Sequence, residues 1–378
     1  MRRTLSRKAV IVVVVFAVVG AVSATLLRPG AGSIDGDTRT EGDTRLAAAA
    51  LEESPDRGVY ALSVAEVTPR GTRIATVGAP LGGTFEIGSV TKPVTGMLLA
   101  DAVERGELSS DTKLGEIFDM GDAASADITV EELARHRSGL PRLPMSPQVL
   151  WNSYRWLLFA HNPYRDEPAD VVGDVRSSSV GDKEPAYSNL GFAVLGHALS
   201  ESTGHDYPDL VRVRLAEPLG MESFFVPAPG QGGTHPNAVQ GRESSGRAQQ
   251  AWDDAGYAPA GGIRADAASM AILLKALLAG TAPGAAAIQP VDDYDDDNRI
   301  GAGWLTSDLD GREITWHNGQ TGGFNTWVGL DRARGTAVFI SGATTRDLAP
   351  AGQQLLLRAD QDRDTDDERH NDESGGGR

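Results

Sequence analysis

The sequence predicts an α+β fold: an antiparallel sheet built from both ends of the chain and flanked by helices, with a mainly helical region inserted between the two halves. Three observations carry this. Short β-rich runs open the body, helical periodicity and loops fill its middle, and β-rich runs return before a closing helix, with no internal repeat between Arg57 and Ala359. The chain has 378 residues, 40% of them hydrophobic, enough apolar side chains for one large core. Its 45 glycines and 20 prolines follow no Gly-x-y period and its 23% of charged residues is ordinary, which excludes a collagenous or wholly disordered chain.

The elements follow in order. Arg2, Arg3, Arg7 and Lys8 precede an uncharged apolar run from Ala9 to Leu27. These nineteen residues, at about 1.5 Å of rise each, come close to a hydrocarbon thickness of roughly 30 Å. Val22-Ser23-Ala24 also offers a small-residue cleavage site, so residues 1–28 read as a signal peptide or an N-terminal membrane anchor. Either places the body outside, secreted or held on the outer face of the cytoplasmic membrane, with membrane association if the segment stays. Residues 29–56 lack a sustained apolar period and read as a flexible linker, with at most a loose helix in LAAAALEE. Residues 57–359 form the domain proper: an α/β part at about 57–105 and 258–359, and a helical insert at about 106–257. Val59 to Val64 and Arg73 to Val77 read as strands about the turn Pro69-Arg70-Gly71. Val94, Met97, Leu98 and Ala102 recur at helical spacing and Gly106 is a stop. FAVLGHALSEST and YPDLVRVRLAEPL are amphipathic pieces of the insert. Strands return at Ile300 to Leu305, Glu313 to Trp316, Asn325 to Leu330 and Thr336 to Ser341, and Ala349 to Arg358 closes the body as a helix. Residues 360–378, with eight acidic residues against three arginines, read as a disordered tail.

Several function classes drop out. A net charge of −17 repels phosphate backbones, so nucleic acid is no partner. Without cysteine there is no disulfide, thiol nucleophile or Cys-ligated zinc. No G-x-S-x-G nucleophile elbow occurs, and the seven histidines show no paired zinc spacing, so no metal and no cofactor is implied. The acidic run Val291 to Arg299 lacks the glycine and glutamate of an EF-hand loop and reads as a hydrated surface loop. Trp151 to Trp156 is aromatic enough to edge a cleft or to pack the insert.

Three segments carry chemistry. Ser89 in Gly88-Ser89-Val90-Thr91-Lys92 stands at a helix start, where unpaired N–H groups favour a developing oxyanion. Lys92, three residues on, shares its face and can be the base for Ser89 Oγ if burial or positive charge lowers its pKa. Tyr187-Ser188-Asn189 lies on a loop before a helix; a phenol with a pKa depressed by the Lys92 ammonium can relay a proton, and Asn189 can hold Lys92 and a substrate amide. Trp316-His317-Asn318-Gly319 with Gln320 suggests a strand edge that approaches a ligand closely, where His317 can bind an anion or a substrate carboxylate.

With S-x-x-K, Y-x-N and a basic-residue-x-Gly strand in this order, the body resembles the class C β-lactamase-related serine hydrolases, a group that includes DD-peptidases and penicillin-recognising esterases. Arg135-His136-Arg137-Ser138-Gly139-Leu140-Pro141, Pro218-Leu219-Gly220-Met221, Pro259-Ala260-Gly261-Gly262 and Gly301-Ala302-Gly303-Trp304 extend the likeness over nearly the whole body. The resemblance implies the β-lactamase/transpeptidase-like fold, with Ser89 as acylated nucleophile, Lys92 and Tyr187 as the proton-handling pair, and Asn189 as ligand of the substrate amide and of the lysine. It places His317 and Gly319 on the strand lining the cleft, and the backbone N–H groups of Ser89 and Gln320 in the oxyanion hole. His317 stands where true class C β-lactamases carry lysine, which argues against efficient β-lactam hydrolysis. The expectation is an extracytoplasmic serine hydrolase acting through an acyl-enzyme on an amide or ester, either a small molecule or a peptidoglycan peptide. The alternative is a non-catalytic cell-envelope binding protein that keeps the fold. Oligomeric state is not legible.

Overall fold

The computed structural model describes residues 33–144, 147–164 and 166–359; the apolar N-terminal run, the first linker residues and the acidic tail lie outside them. In chain order the strands are β1 (Thr40–Gly42), β2 (Leu62–Thr68), β3 (Gly71–Val77), β4 (Phe85–Glu86), β5 (Phe224–Phe225), β6 (Arg264–Ala265), β7 (Asp292–Asp293), β8 (Asn298–Ile300), β9 (Leu305–Leu309), β10 (Arg312–Gln320), β11 (Asn325–Asp331) and β12 (Thr336–Gly342). The longer helices are α1 (Thr44–Glu53), α2 (Thr91–Glu104), α3 (Pro147–Phe159), α4 (Pro168–Ser177), α5 (Asn189–Thr203), α6 (Ala267–Leu278) and α7 (349–359). Nine strands form one antiparallel sheet in the order β1-β3-β2-β12-β11-β10-β9-β8-β7, and β4-β6-β5 form a second, small one.

Side-chain alternation sorts this large sheet into two faces. Leu62 and Val64 of β2, Trp327 of β11, and Val338 and Ile340 of β12 pack under α1 and α7, through Leu46, Ala47, Ala50, Leu355 and Leu356. Their sequence neighbours Ala65, Val67, Val328, Leu330, Ala337 and Phe339 face the other way, into the larger core shared with α2, α5 and α6. The antiparallel sheet, its flanking helices and the helix-rich middle match the fold that the sequence predicts. Among the described residues no helix is long and apolar enough to cross a membrane.

Three local readings are corrected. Residues 40–53 of the expected linker are folded: β1 extends the sheet along β3, with Thr40 opposite Val77, and α1 covers the sheet. The helix starts where the Asp43 carboxylate accepts the Leu46 N–H at 2.8 Å, and it buries Leu46, Ala47 and Ala50 on one face against the sheet. The strand expected at Ile300 to Leu305 is two strands: β8 ends at Ile300, β9 begins at Leu305, and Gly303 turns between them at φ +76. Finally, β10 does not stop at Trp316 but runs on to Gln320, because β11 continues to pair with it after β9 has ended opposite Trp316. The acidic run forms the β7–β8 hairpin, in which Asp295 accepts the N–H groups of Asp297 and Asn298 at 3.0 and 2.9 Å.

The packing of α1 gives the first expected outcome. Leu46 is 2% exposed, so Leu46→Ala should cost about 2–5 kcal/mol in urea denaturation; a cost under about 0.5 kcal/mol, usual for a solvated segment, would show that α1 does not close this face.

Candidate active site

Two glycines let backbone meet backbone at the centre of the molecule. Beyond Trp316, β10 has lost β9 as a neighbour, and the 3-10 turn Gly88–Val90 packs on the face of β10 there, over Gly319. A Cβ on Gly319 would fall 2.1 Å from Ile87 O and 3.1 Å from Ser89 N; one on Gly88, at φ +53, would fall 2.8 Å from Gln320 N. Only glycine permits this approach on both sides. The segment entering the turn is fixed from below by a buried ion pair, Arg264 of β6 donating to Glu86 of β4 at 3.0 Å. Burial raises the Glu86 pKa and lowers that of Arg264, with the attraction between them opposing both shifts.

Ser89 sits in this turn and Lys92 in the first turn of α2, as their spacing predicts. Lys92 is 0% exposed. Its Nζ lies 3.0 Å from Ser89 Oγ, donates to Ala260 O at 2.7 Å, and stands 4.8 Å from the centroid of the Tyr187 ring. The sealing is again backbone on backbone: a Cβ on Gly96 would lie 1.9 Å from Ala302 O, and one on Gly303 would lie 3.0 Å from Lys92 O. Desolvation, and secondarily the positive charge of Arg142, hold the Lys92 amine well below the usual lysine range.

Tyr187 approaches from the other side of the chain. Ser188 caps α5, accepting the Gly191 N–H at 2.9 Å and donating to Pro141 O at 2.8 Å, while its own N–H donates to His136 Nδ1 at 3.1 Å. His136 holds φ +58, unusual for a side-chain-bearing residue, and its carbonyl accepts the Ala186 N–H at 2.8 Å. The Tyr187 ring is packed against His136 at 4.6 Å between centroids, under the Arg142 guanidinium at 4.9 Å, and 6.5 Å from His317. Its phenol hydrogen-bonds Ser89.

The electrostatics correct two expectations. Burial pushes the Tyr187 phenol above its ordinary value, the Ser89 bond and Arg142 opposing it, so the phenol is not the depressed group that the sequence suggested. The depressed group is the amine. His317 is 2% exposed and burial, then Lys92, push its pKa down to about 3, so at neutral pH it is an uncharged ring beneath the site and not a cation for a substrate carboxylate. Its Nδ1 is 2.5 Å from Asn318 O. Asn189 also differs. Lys92 bonds Ser89 and Ala260, while the Asn189 side chain bonds the Tyr164 phenol.

Ser89, Tyr187, Asn189, Gly319 and Gln320 line one cavity of about 690 Å³, together with Arg142, Asn318, Trp156, Tyr164, Trp252, Asp254 and Tyr257. His317 and Lys92 lie behind its wall. Arg142 is the one cation among the described lining residues. Sequence reasoning gave no role to Arg142, His136 or Asp254; the likeness of residues 135–141 marked the loop but not which side chain it brings to Tyr187. Among the described residues no group of three or more His, Cys, Asp or Glu is arranged to hold a metal ion. What remains is a hydroxyl touching an amine of lowered pKa and a phenol of raised pKa, in the 3-10 turn that leads into α2. Such a set can make the oxygen nucleophilic and protonate a departing group.

Comparison with known proteins gives the same picture. A family profile described as Beta-lactamase matches residues 49–363. Among curated relatives, the D-alanyl-D-alanine-carboxypeptidase/endopeptidase AmpH of Escherichia coli is 26% identical over 156 residues, 40% of this chain and 39% of that one. An unguisins hydrolase of Aspergillus campestris is 26% identical over 309 residues, 72% of this chain and 54% of that one. The chain thus spans well under two thirds of these relatives. Among solved structures, a class C beta lactamase from Rhodobacter sphaeroides superposes with a TM-score of 0.70 at 18% identity, covering 84% of this chain and 98% of that one. A beta-lactamase/D-alanine carboxypeptidase from Pseudomonas syringae does so at 0.70 and 14% identity, covering 84% and 99%.

The close approach at Gly319 is testable. Gly319→Ala must displace the Ser89 turn, and fluorophosphonate labelling of Ser89 should fall by on the order of 10²-fold with the circular dichroism spectrum retained. Unchanged labelling would show that the turn does not depend on this contact.

Proposed function

The chain belongs to the beta-lactamase family and is a serine hydrolase, and we propose that it works outside the cytoplasm through an acyl-enzyme on Ser89, cleaving an amide or ester of DD-peptidase or esterase type rather than a β-lactam. The observation that carries the reading is the contact of Ser89 Oγ with a fully buried lysine that has no carboxylate partner among its bonds. In this reading the Ser89 proton passes to Lys92 Nζ as Oγ attacks the acyl carbonyl. The backbone N–H groups of Ser89 and Gln320 hold the oxyanion. Tyr187, still protonated, gives its proton to the leaving group and is reprotonated from Lys92, and water then releases the acyl group by the reverse relay. Asn189 and residues 318–320 flank the bound acyl chain, and His317 supports the Tyr187 ring as a neutral group. The absence of charge on His317 supports the preference against β-lactams, whose carboxylate lacks a cation on this strand. The basic residues and apolar run at 2–27 support the location.

Three outcomes test this. Intact mass spectrometry with a fluorescent penicillin or a fluorophosphonate should show one covalent adduct on wild type and none on Ser89→Ala; an equal adduct on the variant removes the nucleophile. Lys92→Met should lower acylation by on the order of 10²-fold or more and yet raise the melting temperature at neutral pH. Because burial lowers the Lys92 pKa on folding, its cost to stability is complete below the folded pKa, shrinks as pH rises from there to the ordinary lysine range, and is gone above it. A variant that is both inactive and less stable would contradict the buried neutral amine. Arg142→Met removes a positive charge that favours the neutral form, so the acid limb of kcat/KM for a p-nitrophenyl ester should move to higher pH; an unmoved limb shows no coupling.

A further inference from the structure

The cavity wall beyond Asn189 is aromatic and acidic, and the acyl-transfer chemistry leaves it unused. Tyr164 packs on Tyr257 at 4.7 Å between centroids, and Trp252 meets Tyr164 at 5.1 Å and Trp156 at 6.2 Å, both edge to face. All four rings line the cavity that contains Ser89, and near-perpendicular neighbours turn their negative faces in different directions around it.

Besides the Trp252 indole N–H, which is also buried without a partner, two polar groups in this wall are left unanswered by the protein. Tyr257 is 4% exposed, and its hydroxyl is buried with no hydrogen-bond partner. Asp254 accepts one bond, from the Tyr257 N–H at 2.6 Å, and among the described residues no Lys or Arg pairs with it. The charges that act on it are the anions Asp166 and Asp253, and burial together with these carboxylates pushes its carboxyl up to about 7. Arg142, the cation of this cavity, sits over Tyr187 instead. A carboxylate without a counter-charge, in a wall that also holds an unpaired hydroxyl and several aromatic faces, is complementary to a cation that enters from the cavity.

We propose that Trp156, Tyr164, Trp252, Tyr257 and Asp254 form a subsite for an ammonium group, primary or quaternary, carried on the acyl portion of the substrate. The aromatic faces supply the cation–π attraction, Asp254 the counter-charge, and the Tyr257 hydroxyl an acceptor for any ammonium N–H. The acyl side is indicated by Asn189, which adjoins Tyr187 and bonds Tyr164, so the subsite continues the wall along which the acyl chain lies. This inference rests on the acyl-transfer reading and specifies its substrate class.

The test compares p-nitrophenyl 4-(trimethylammonio)butanoate with its uncharged isostere, p-nitrophenyl 5,5-dimethylhexanoate, which has the same shape and leaving group. Wild type should show kcat/KM about tenfold or more higher for the cationic ester, and Asp254→Asn should bring the ratio to within about twofold of one. Equal values for the two esters in wild type overturn the subsite while leaving the hydrolase intact, a result that needs no variant to fold. If neither ester is turned over, the acyl-transfer reading fails, and the subsite is judged by tryptophan fluorescence of Ser89→Ala titrated with choline and with 3,3-dimethylbutanol. A response to choline alone supports it, and an equal or absent response to both removes it.

Discussion

The molecule is organised around a lysine amine held away from water without an anion to pair with. A buried carboxylate beside Lys92 would have kept it charged, and a solvated position would have done the same. Instead its partners are a hydroxyl and a carbonyl, both neutral, and the nearest formal charge acting on it is the like charge of Arg142. The fold bears the cost of this arrangement so that the amine can accept a proton at ordinary pH. Sealing the amine requires the Gly301–Trp304 turn to press on α2 at Gly96, the Pro259–Ala260 segment to offer a carbonyl, and Tyr187 to cover the remaining side.

The same economy of side chains shapes the wall opposite. At Gly88 and Gly319, carbonyl and amide groups of two distant segments meet at distances that any Cβ would prevent. β9 stops pairing at Trp316, and the nucleophile turn packs on the face of β10 beyond it. The Glu86–Arg264 pair beneath contributes little that is certain to stability, since desolvation works against both partners, but it ties β4 to β6 and so fixes where the turn begins. The Tyr187 flank is positioned in a comparable way by His136, which accepts one N–H at Nδ1 and another at its carbonyl and packs its ring against that of Tyr187.

How much of this was legible in the sequence depends on the range of the interaction. Ser89 and Lys92 are three residues apart on one helix, so their contact follows from helical geometry alone. The β-rich composition of β2, β11 and β12 is local too, and the strand readings followed from it. Tyr187 and Gly319 carry no local signal that points to Ser89; their order in the chain suggested the site only through likeness to a family. Charge states were less legible still. A phenol near an ammonium should be depressed, but the sequence does not show that burial lowers the pKa of the amine and raises that of the phenol, which reverses which group is shifted down. His317 was misread for the same reason: a histidine on a strand facing the core has the same letters as one facing a ligand. Residues 40–53 looked like linker because three small or apolar contacts, Leu46, Ala47 and Ala50, suffice against a flat sheet. Asp254 and the rings near it come from three separate segments, and no spacing connects them.

The chemistry turns on the protonation of one nitrogen, and NMR can observe it directly. With lysine labelled with ¹³C at Cε and ¹⁵N at Nζ, the resonances of Lys92, assigned by their loss in Lys92→Met, should titrate well below the ordinary lysine range and report a neutral amine at the pH of catalysis. Lys92 signals that stay those of an ammonium up to the ordinary lysine range would contradict the account, because Ser89 would then have no base.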